Sequence, residues 1–392
     1  MSESPSSRTV TRLRPFTSTI FAEMTALATR TGAINLGQGF PDTDGPASLL
    51  DAACHAIHDG RNQYAPGPGV PELREAIAAD RALRYGIESD PDDEVLVTVG
   101  ATEAIAAAIV GLVEPGSEVV LIEPYYDSYA AAVAMAGATR RTATMVTDGD
   151  GFALDVDSLR AAVTDRTAML VVNTPHNPTG AVYTDDELRA IAEIAVEHDL
   201  IVLSDEVYEH LTFDRPHVPL AQLPGMRERT VTVSSAGKTF SVTGWKIGWA
   251  CGPAELVAGV RAAKQFMSFT AGSALQPAVA HALRHEMPWV AALRDDLARK
   301  RDILHGALSD AGLRVMSGGG TYFLCADIGP LGEDDGDAFC RSLPERVGVA
   351  AVPLAAFTDH PGRWNHMVRF AFCKRDDVLA DAARRLKALR GA

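Results

Sequence analysis

Long apolar runs are missing from this 392-residue chain. The longest, Ala104 to Val113, falls far short of the roughly 20 residues that a membrane-spanning helix needs. The N-terminus, Met1-Ser2-Glu3-Ser4-Pro5-Ser6-Ser7, has neither the basic nor the apolar stretch of an export signal. Cysteine is sparse: Cys54, Cys251, Cys325, Cys340 and Cys373 are odd in number, scattered and without a C-x-x-C motif. That pattern argues against a disulfide framework and a zinc ribbon, so no metal is expected and the cytoplasm is the expected location. Positive charge is also short. Against 51 Asp and Glu stand 36 Lys and Arg, a net charge of −15, which argues against non-specific contact with nucleic acid or an anionic membrane. An anionic ligand must therefore be held by a local device. Internal repeats and low-complexity segments do not occur.

What is present is ordinary for a globular protein, with 47% hydrophobic and 22% charged residues. The length predicts one large domain and a smaller one. Residues 1–12 read as a flexible polar tail, 13–46 as an N-terminal arm joining the smaller domain, 47–285 as the large domain and 286–392 as the small C-terminal one. Within the arm, apolar residues recur at helical spacing from Ile20 to Ala28, and Ile34 to Asp42 then turns rich in Gly and Pro. Ala47 to Ile57 and Glu72 to Arg84 read as helices.

From Val95 onward short apolar runs alternate with helices. Val95–Val99 leads into Gly100-Ala101-Thr102-Glu103 and an Ala-rich helix, Val119–Ile122 into Glu123-Pro124-Tyr125-Tyr126-Asp127, and Ala168–Val172 into Asn173-Thr174-Pro175-His176-Asn177-Pro178. Leu200–Leu203 leads into Ser204-Asp205-Glu206-Val207-Tyr208, and Thr230–Val233 into Ser234-Ser235-Ala236-Gly237-Lys238-Thr239-Phe240. Short, nearly all-apolar strands separated by helices predict an α/β large domain whose mostly parallel sheet is covered by helices. Beyond about Ala278 a long charged helical region and shorter strands predict a separate α+β domain.

In such sheets ligands bind beyond the carboxyl ends of the strands. Each predicted strand ends on a residue with chemical use: Thr102, Tyr125, Asn177, Asp205 with Tyr208, and Ser235 with Lys238. Singly, each is more often a turn residue or a cap; five at one edge of one sheet are hard to explain as accidents. Rival motifs fail on inspection. Gly237-Lys238-Thr239 ends like a phosphate-binding P-loop, but Thr232 stands where that loop needs its first glycine, and Trp289 occupies the second histidine position of a zinc-protease motif opened by His285-Glu286.

A lysine at a strand end can form a Schiff base with an aldehyde cofactor, provided a carboxylate, hydroxyl donors, a stacking aromatic and a phosphate cradle lie nearby. The Asn173–Gly180, Ser204–Tyr208 and Ser234–Lys238 segments, with Arg369-Phe370, resemble the class I aminotransferases of the fold-type I pyridoxal phosphate enzymes. The resemblance runs from about Arg14 to the C-terminus. Leu36-Gly37-Gln38-Gly39-Phe40-Pro41-Asp42 and Thr243-Gly244-Trp245-Lys246 are similar to the kynurenine and glutamine aminotransferase branch.

That resemblance implies roles. Lys238 would hold the aldehyde of pyridoxal 5′-phosphate and move protons, and Asp205 would pair with the ring nitrogen. Tyr208 and Asn177 would bond the phenolic oxygen, and Tyr125 would stack on the ring. Ala101, Thr102, Ser235 and Lys246 would hold the phosphate, with Tyr64 reaching it from the other subunit of a homodimer. Arg369 and the Gly39 backbone would take the substrate α-carboxylate, with Phe21 in the substrate pocket. The substrates would be a small-molecule amino acid and a 2-oxo acid exchanging an amino group by a ping-pong mechanism. The Gly100-Ala101-Thr102-Glu103-Ala104-Ile105 loop departs from the kynurenine version. With Glu123–Tyr129 and Ser-Ser-Ala-x-Lys, it is closest to actinobacterial enzymes assigned to N-succinyldiaminopimelate transamination in lysine biosynthesis. A kynurenine, glutamine or methionine type of aminotransferase and a cysteine-S-conjugate β-lyase stay open, and spacing alone assigns no second arginine to a side-chain carboxylate.

Overall fold

The computed structural model describes residues 8–391. Eight strands form the large sheet: β1 (Val95–Val99), β2 (Glu118–Glu123), β3 (Thr139–Asp148), β4 (Gly151–Leu154), β5 (Thr167–Asn173), β6 (Ile201–Asp205), β7 (Thr230–Ser235) and β8 (Ile247–Cys251). Their spatial order is β1-β8-β7-β6-β5-β2-β3-β4. The pairs β2–β3, β2–β5, β5–β6 and β6–β7 are parallel, while β8 runs antiparallel to both its neighbours and β3 and β4 form an antiparallel hairpin.

The period of two along a strand explains why these runs are apolar throughout. In β2, Val119 and Leu121 join one buried cluster with Met169, Val171 and Leu203, whereas Val120 and Ile122 join another with Leu170, Val172 and Val202. Both faces are therefore covered. Helix Gly100–Leu112 packs on the first face, and Asp185–Glu197 on the second.

A second core gathers Met24 and Leu36 with Phe339, Phe357, Phe370 and Leu379. A four-stranded antiparallel sheet runs through it, ordered Arg314–Val315, Phe323–Asp327, Met367–Ala371, Val352–Pro353. Ile34–Asn35 pairs in parallel with Val349–Ala350, which lays the next residues, Leu36 to Phe40, across the edge of the large sheet. Helix Met287–Asp310 follows Leu275–His285 and joins the two halves.

The fold differs from the sequence reading in four places. The β3–β4 hairpin and β8 have no counterpart in it, because charged or glycine residues interrupt their apolar pattern. The C-terminal helix, whose amphipathic sequence pattern runs from Asp376 to Leu389, ends at Leu386 and tightens into a 3-10 turn over Lys387–Gly391. Of the tail expected over residues 1–12, residues 1–7 lie outside the described residues, and Thr11 already begins a 3-10 helix, Thr11–Phe16.

Helix Asp185–Glu197 opens with a capping box: Glu187 N donates to Thr184 Oγ1 (3.2 Å) and Thr184 N to Glu187 Oε2 (2.6 Å). Thr184→Ala should lower stability by about 1 kcal/mol, read as a lower urea midpoint, and Thr184→Ser should restore most of it. Equal midpoints for all three proteins would show that the cap contributes nothing.

Candidate active site

A cavity of about 360 Å³ opens at the carboxyl edge of the large sheet. Five strand ends supply its floor: Gly100, Ala101 and Thr102 after β1, Tyr126 after β2, Asn173 and Asn177 at β5, Asp205 and Tyr208 at β6, Ser235 and Lys238 at β7. Lys246 enters just before β8. Phe21, Gln38, Gly39 and Phe40 of the arm close one side, and Phe323 and Arg369 of the smaller sheet close another.

Lys238 sits in the single helical turn Ala236–Thr239. Its Nζ donates to Tyr322 Oη at 2.5 Å and to the Gly39 carbonyl at 3.4 Å, and Tyr322 Oη donates to the same carbonyl at 2.6 Å. Among the described residues it forms no ion pair. Burial pushes its amine down to about 8, against the opposing pull of the Cys373 and Asp205 groups. An amine lowered this far is neutral far more often near pH 7 than an ordinary lysine is, and the neutral form is the one in which nitrogen is a nucleophile. A side chain at Gly39 would place its first carbon 2.3 Å from Phe323 Cζ, so only glycine lets this backbone approach.

Asp205 ends β6 and is buried without an ion-pair partner among the described residues. Tyr129 Oη donates to its Oδ2 at 2.6 Å, and Val207 N to Oδ1 at 3.3 Å. Burial pushes the carboxyl up to about 6, opposed by the Tyr129 hydroxyl and the Val207 amide. Asn173 Nδ2 donates to the Asp205 carbonyl at 2.8 Å, and Asn173 Oδ1 accepts from Asn177 N at 2.7 Å, which ties the ends of β5 and β6 together.

Arg369 lies in Met367–Ala371 and is 1% exposed. Nη1 donates to Asn177 Oδ1 at 2.7 Å and Nη2 to the Gly37 carbonyl at 2.9 Å, while Nε is buried with no partner. The rings of Phe323, Phe357 and Phe21 surround the guanidinium, with centroids 3.9, 4.8 and 5.3 Å from Cζ. Burial lowers it to about 10. A buried cation without a carboxylate partner is costly unless an anion arrives.

A third cationic position lies at the start of helix Gly100–Leu112. Gly100 has φ +71°, and a side chain there would lie 3.2 Å from Lys246 Nζ and Cε, so the ammonium packs directly over the helix N-terminus. Thr102 and Ser235 line the same end. Free backbone amides, two hydroxyls and a lysine suit a phosphate group.

Most of the residues singled out in the sequence converge here: Lys238, Asp205, Tyr208, Asn177, Ala101, Thr102, Ser235, Lys246, Gly39, Arg369 and Phe21 all line this cavity. Tyr125 does not. Its hydroxyl donates to Asp359 Oδ1 at 2.9 Å and its amide donates to the Phe357 carbonyl, away from the cavity wall, where Tyr126 stands instead. The cause is local: the backbone is extended at Tyr126, so adjacent side chains leave in opposite directions. Tyr64 is also absent from this wall; it is 83% exposed, its ring 5.5 Å from that of Phe269. Tyr126, Tyr129, Tyr322 and Phe323 join the site without a signal of their own in the sequence reading. The glycine run Gly318-Gly319-Gly320 before Tyr322 is the available sign of close backbone approach. The peptide bonds before Pro124, Pro175 and Pro178 are cis.

Comparison with known proteins follows the same lines. The family model described as aminotransferase class I and II matches residues 31–386. A Mycobacterium tuberculosis protein described as probable N-succinyldiaminopimelate aminotransferase DapC is 62% identical over 390 residues, 97% of this chain and 98% of that protein. The Escherichia coli methionine aminotransferase is 41% identical over 372 residues, 95% of this chain and 96% of the relative. Among solved structures, N-succinyldiaminopimelate aminotransferase from M. tuberculosis superposes with a TM-score of 0.96 at 64% identity, covering 97% of this chain and all of that one (100%). A Thermus thermophilus aspartate aminotransferase mutant superposes at 0.90 with 32% identity, over 98% and 100% of the two chains.

The lowered Lys238 amine has a pH signature. Labelling of Lys238 by an aldehyde followed by borohydride should rise through a midpoint near pH 8, because the neutral amine reacts and predominates above that value. Peptide mapping should place the label on Lys238, and a midpoint near the ordinary lysine value would refute the assignment.

Proposed function

The chain belongs to the class I and II aminotransferase family, and we propose that within it this enzyme transfers the amino group of N-succinyl-LL-diaminopimelate to 2-oxoglutarate, a step of lysine biosynthesis. The observation that carries this reading is the 62% identity across 97% of the chain to the M. tuberculosis protein, against 41% to the methionine enzyme. The enzyme is a transaminase and its cofactor is pyridoxal 5′-phosphate.

The donor set fits that cofactor. Asp205, buried and lacking an ion-pair partner, suits a protonated ring nitrogen, whose charge would draw the raised carboxyl back toward the ordinary carboxylate range. Tyr129 would hold that carboxylate in place. Asn177 Oδ1 accepts from Arg369 Nη1, which leaves the Asn177 amide N–H groups to donate, with Tyr208, to the phenolic oxygen. Tyr126 takes over the stacking role expected of Tyr125. The Gly100–Thr102 amides, Ser235 and Lys246 would hold the phosphate.

When bound, pyridoxal 5′-phosphate supplies an electron sink for the charge that develops as the substrate's Cα–H bond breaks. The chain supplies the rest. Arg369 would grip the α-carboxylate through the donors that Asn177 and Gly37 leave unused, including its unpartnered Nε. Lys238 Nζ would take the α-proton; Tyr322 and the Gly39 carbonyl fix that nitrogen, and its lowered basicity lets it accept and release a proton near neutral pH. Phe21, Phe323 and Phe357 keep water from the guanidinium.

A donor panel tests the substrate. With 2-oxoglutarate as acceptor, kcat/KM for N-succinyl-LL-diaminopimelate should exceed that for methionine, kynurenine and glutamine by at least about tenfold, the equivalent of roughly 1.4 kcal/mol. A rank among the poorest donors would reject the lysine-pathway reading without touching the family assignment.

The division of the chain into arm, large domain and small domain near residues 47 and 286 is part of the same reading, supported by the pairing of Ile34–Asn35 with Val349–Ala350. So is a cytoplasmic location; among the described residues no helix is long and apolar enough to cross a membrane. A homodimer is the assembly we favour. Tyr64 (83% exposed), Phe266 (85%), Met267 (46%) and Phe269 (48%) leave an apolar surface of the kind that a second copy covers. Sedimentation should give twice the chain mass, and Tyr64→Ala should weaken cofactor retention about tenfold or more; a monomer with full activity would exclude the arrangement.

A further inference from the structure

The charged side chains lining the catalytic cavity, Lys246, Asp205, Lys238 and Arg369, are all committed to the cofactor or to the α-carboxylate. None remains for a second carboxylate at the far end of a donor. Two further cavities adjoin the first. One, of about 310 Å³, shares only Lys238 with it and lies behind the Lys238–Tyr322 hydrogen bond. The other, of about 570 Å³, shares Phe21, Thr102 and Tyr126 with it and so continues outward from the aromatic wall beside Arg369.

The second of these contains one cation among its described lining residues, Arg140. Arg140 Nε donates to Asp359 Oδ2 at 2.6 Å and Nη2 to Asp359 Oδ1 at 2.7 Å, and Tyr125 Oη donates to the same Oδ1 at 2.9 Å. Asp359 N in turn donates to Glu123 Oε1 at 2.6 Å, which fastens the loop to the end of β2. The guanidinium is thus oriented before any ligand arrives, and its Nη1 and the second hydrogen of Nη2 are left to donate. Its side chain is 36% exposed, so these donors are accessible. Ser18 and Ser128 add hydroxyls to the wall. Asp127, whose carboxyl burial pushes upward, adds an acceptor suited to an amide N–H.

We propose that this 570 Å³ cavity is the distal subsite of the amino donor, and that Arg140, positioned by Asp359 and Tyr125, is the specificity-determining residue that takes its second carboxylate. The proposal rests on the reading above that the donor is a long succinylated diacid. It also gives Tyr125 a positioning role in place of the stacking role that Tyr126 holds.

Arg140→Gln, compared with wild type as holoenzyme, tests it. KM for N-succinyl-LL-diaminopimelate should rise about tenfold to a hundredfold, the range for losing charge-assisted hydrogen bonds, while methionine changes less than about threefold. Equal effects on both donors, or none on the long one, would overturn the subsite. Arg140→Lys should fall between the two, since an ammonium keeps the charge but loses the planar fork, and it serves if the glutamine variant does not fold. Calorimetry separates this proposal from the substrate reading. Suberate should bind wild type about tenfold or more tightly than octanoate, and the glutamine variant should lose that advantage, with the lysine variant keeping only part of it, whether or not the succinylated donor is turned over. Equal binding of the two acids to wild type would reject the subsite on its own.

Discussion

Two cations without carboxylate partners, the half-buried Lys238 and the buried Arg369, set the terms for everything around them. Burial pushes both toward the neutral form, and the charge of Arg369 lowers the proton affinity of Lys238 further. The chain does not neutralise them with acids. It solvates them with backbone carbonyls, those of Gly37 and Gly39, one side-chain amide oxygen and one phenol. Carbonyl dipoles lessen the cost of a buried charge without cancelling it, so the field that remains is available to an incoming anion.

That solution dictates where the arm must go. The two carbonyls lie on a short stretch between Leu36 and Phe40, and its path is fixed on one side by strand pairing to Val349–Ala350 and on the other by contact with Phe323. The smaller sheet therefore serves the site twice, once through Arg369 and once by holding the segment that solvates Lys238. Moving the arm by a fraction of a side chain would leave both cations short of partners.

Much of this is legible in the sequence because the chemistry sits at strand ends and the strands are buried on both faces. An apolar run that stops at Asp205 or Ser235 announces both the strand and its exit. The side-chain direction one residue past a strand is a different matter. Tyr125 and Tyr126 are indistinguishable in composition, and only the extended backbone between them decides which ring faces the cavity. Tyr129 and Tyr322 are hidden for another reason: each acts by supporting a residue distant in sequence, Asp205 and Lys238, and no local pattern records such a contact. Arg140 belongs to the same group, since its partner Asp359 lies far along the chain, beyond the strands of the smaller sheet that precede it.

The antiparallel course of β8 shortens distances along the chain. Parallel neighbours must be joined by a crossover of about a dozen residues or more, so successive visits to the carboxyl edge are normally far apart. Because β8 runs the other way, the chain leaves β7 at Ser235, turns, and starts β8 at Ile247 on that same edge. The amine placed to react and the amine placed over the helix N-terminus thus belong to one hairpin connection, Lys238 and Lys246. Their separation is a property of a single short loop, which makes that loop a ruler between the two ends of whatever lies in the cavity.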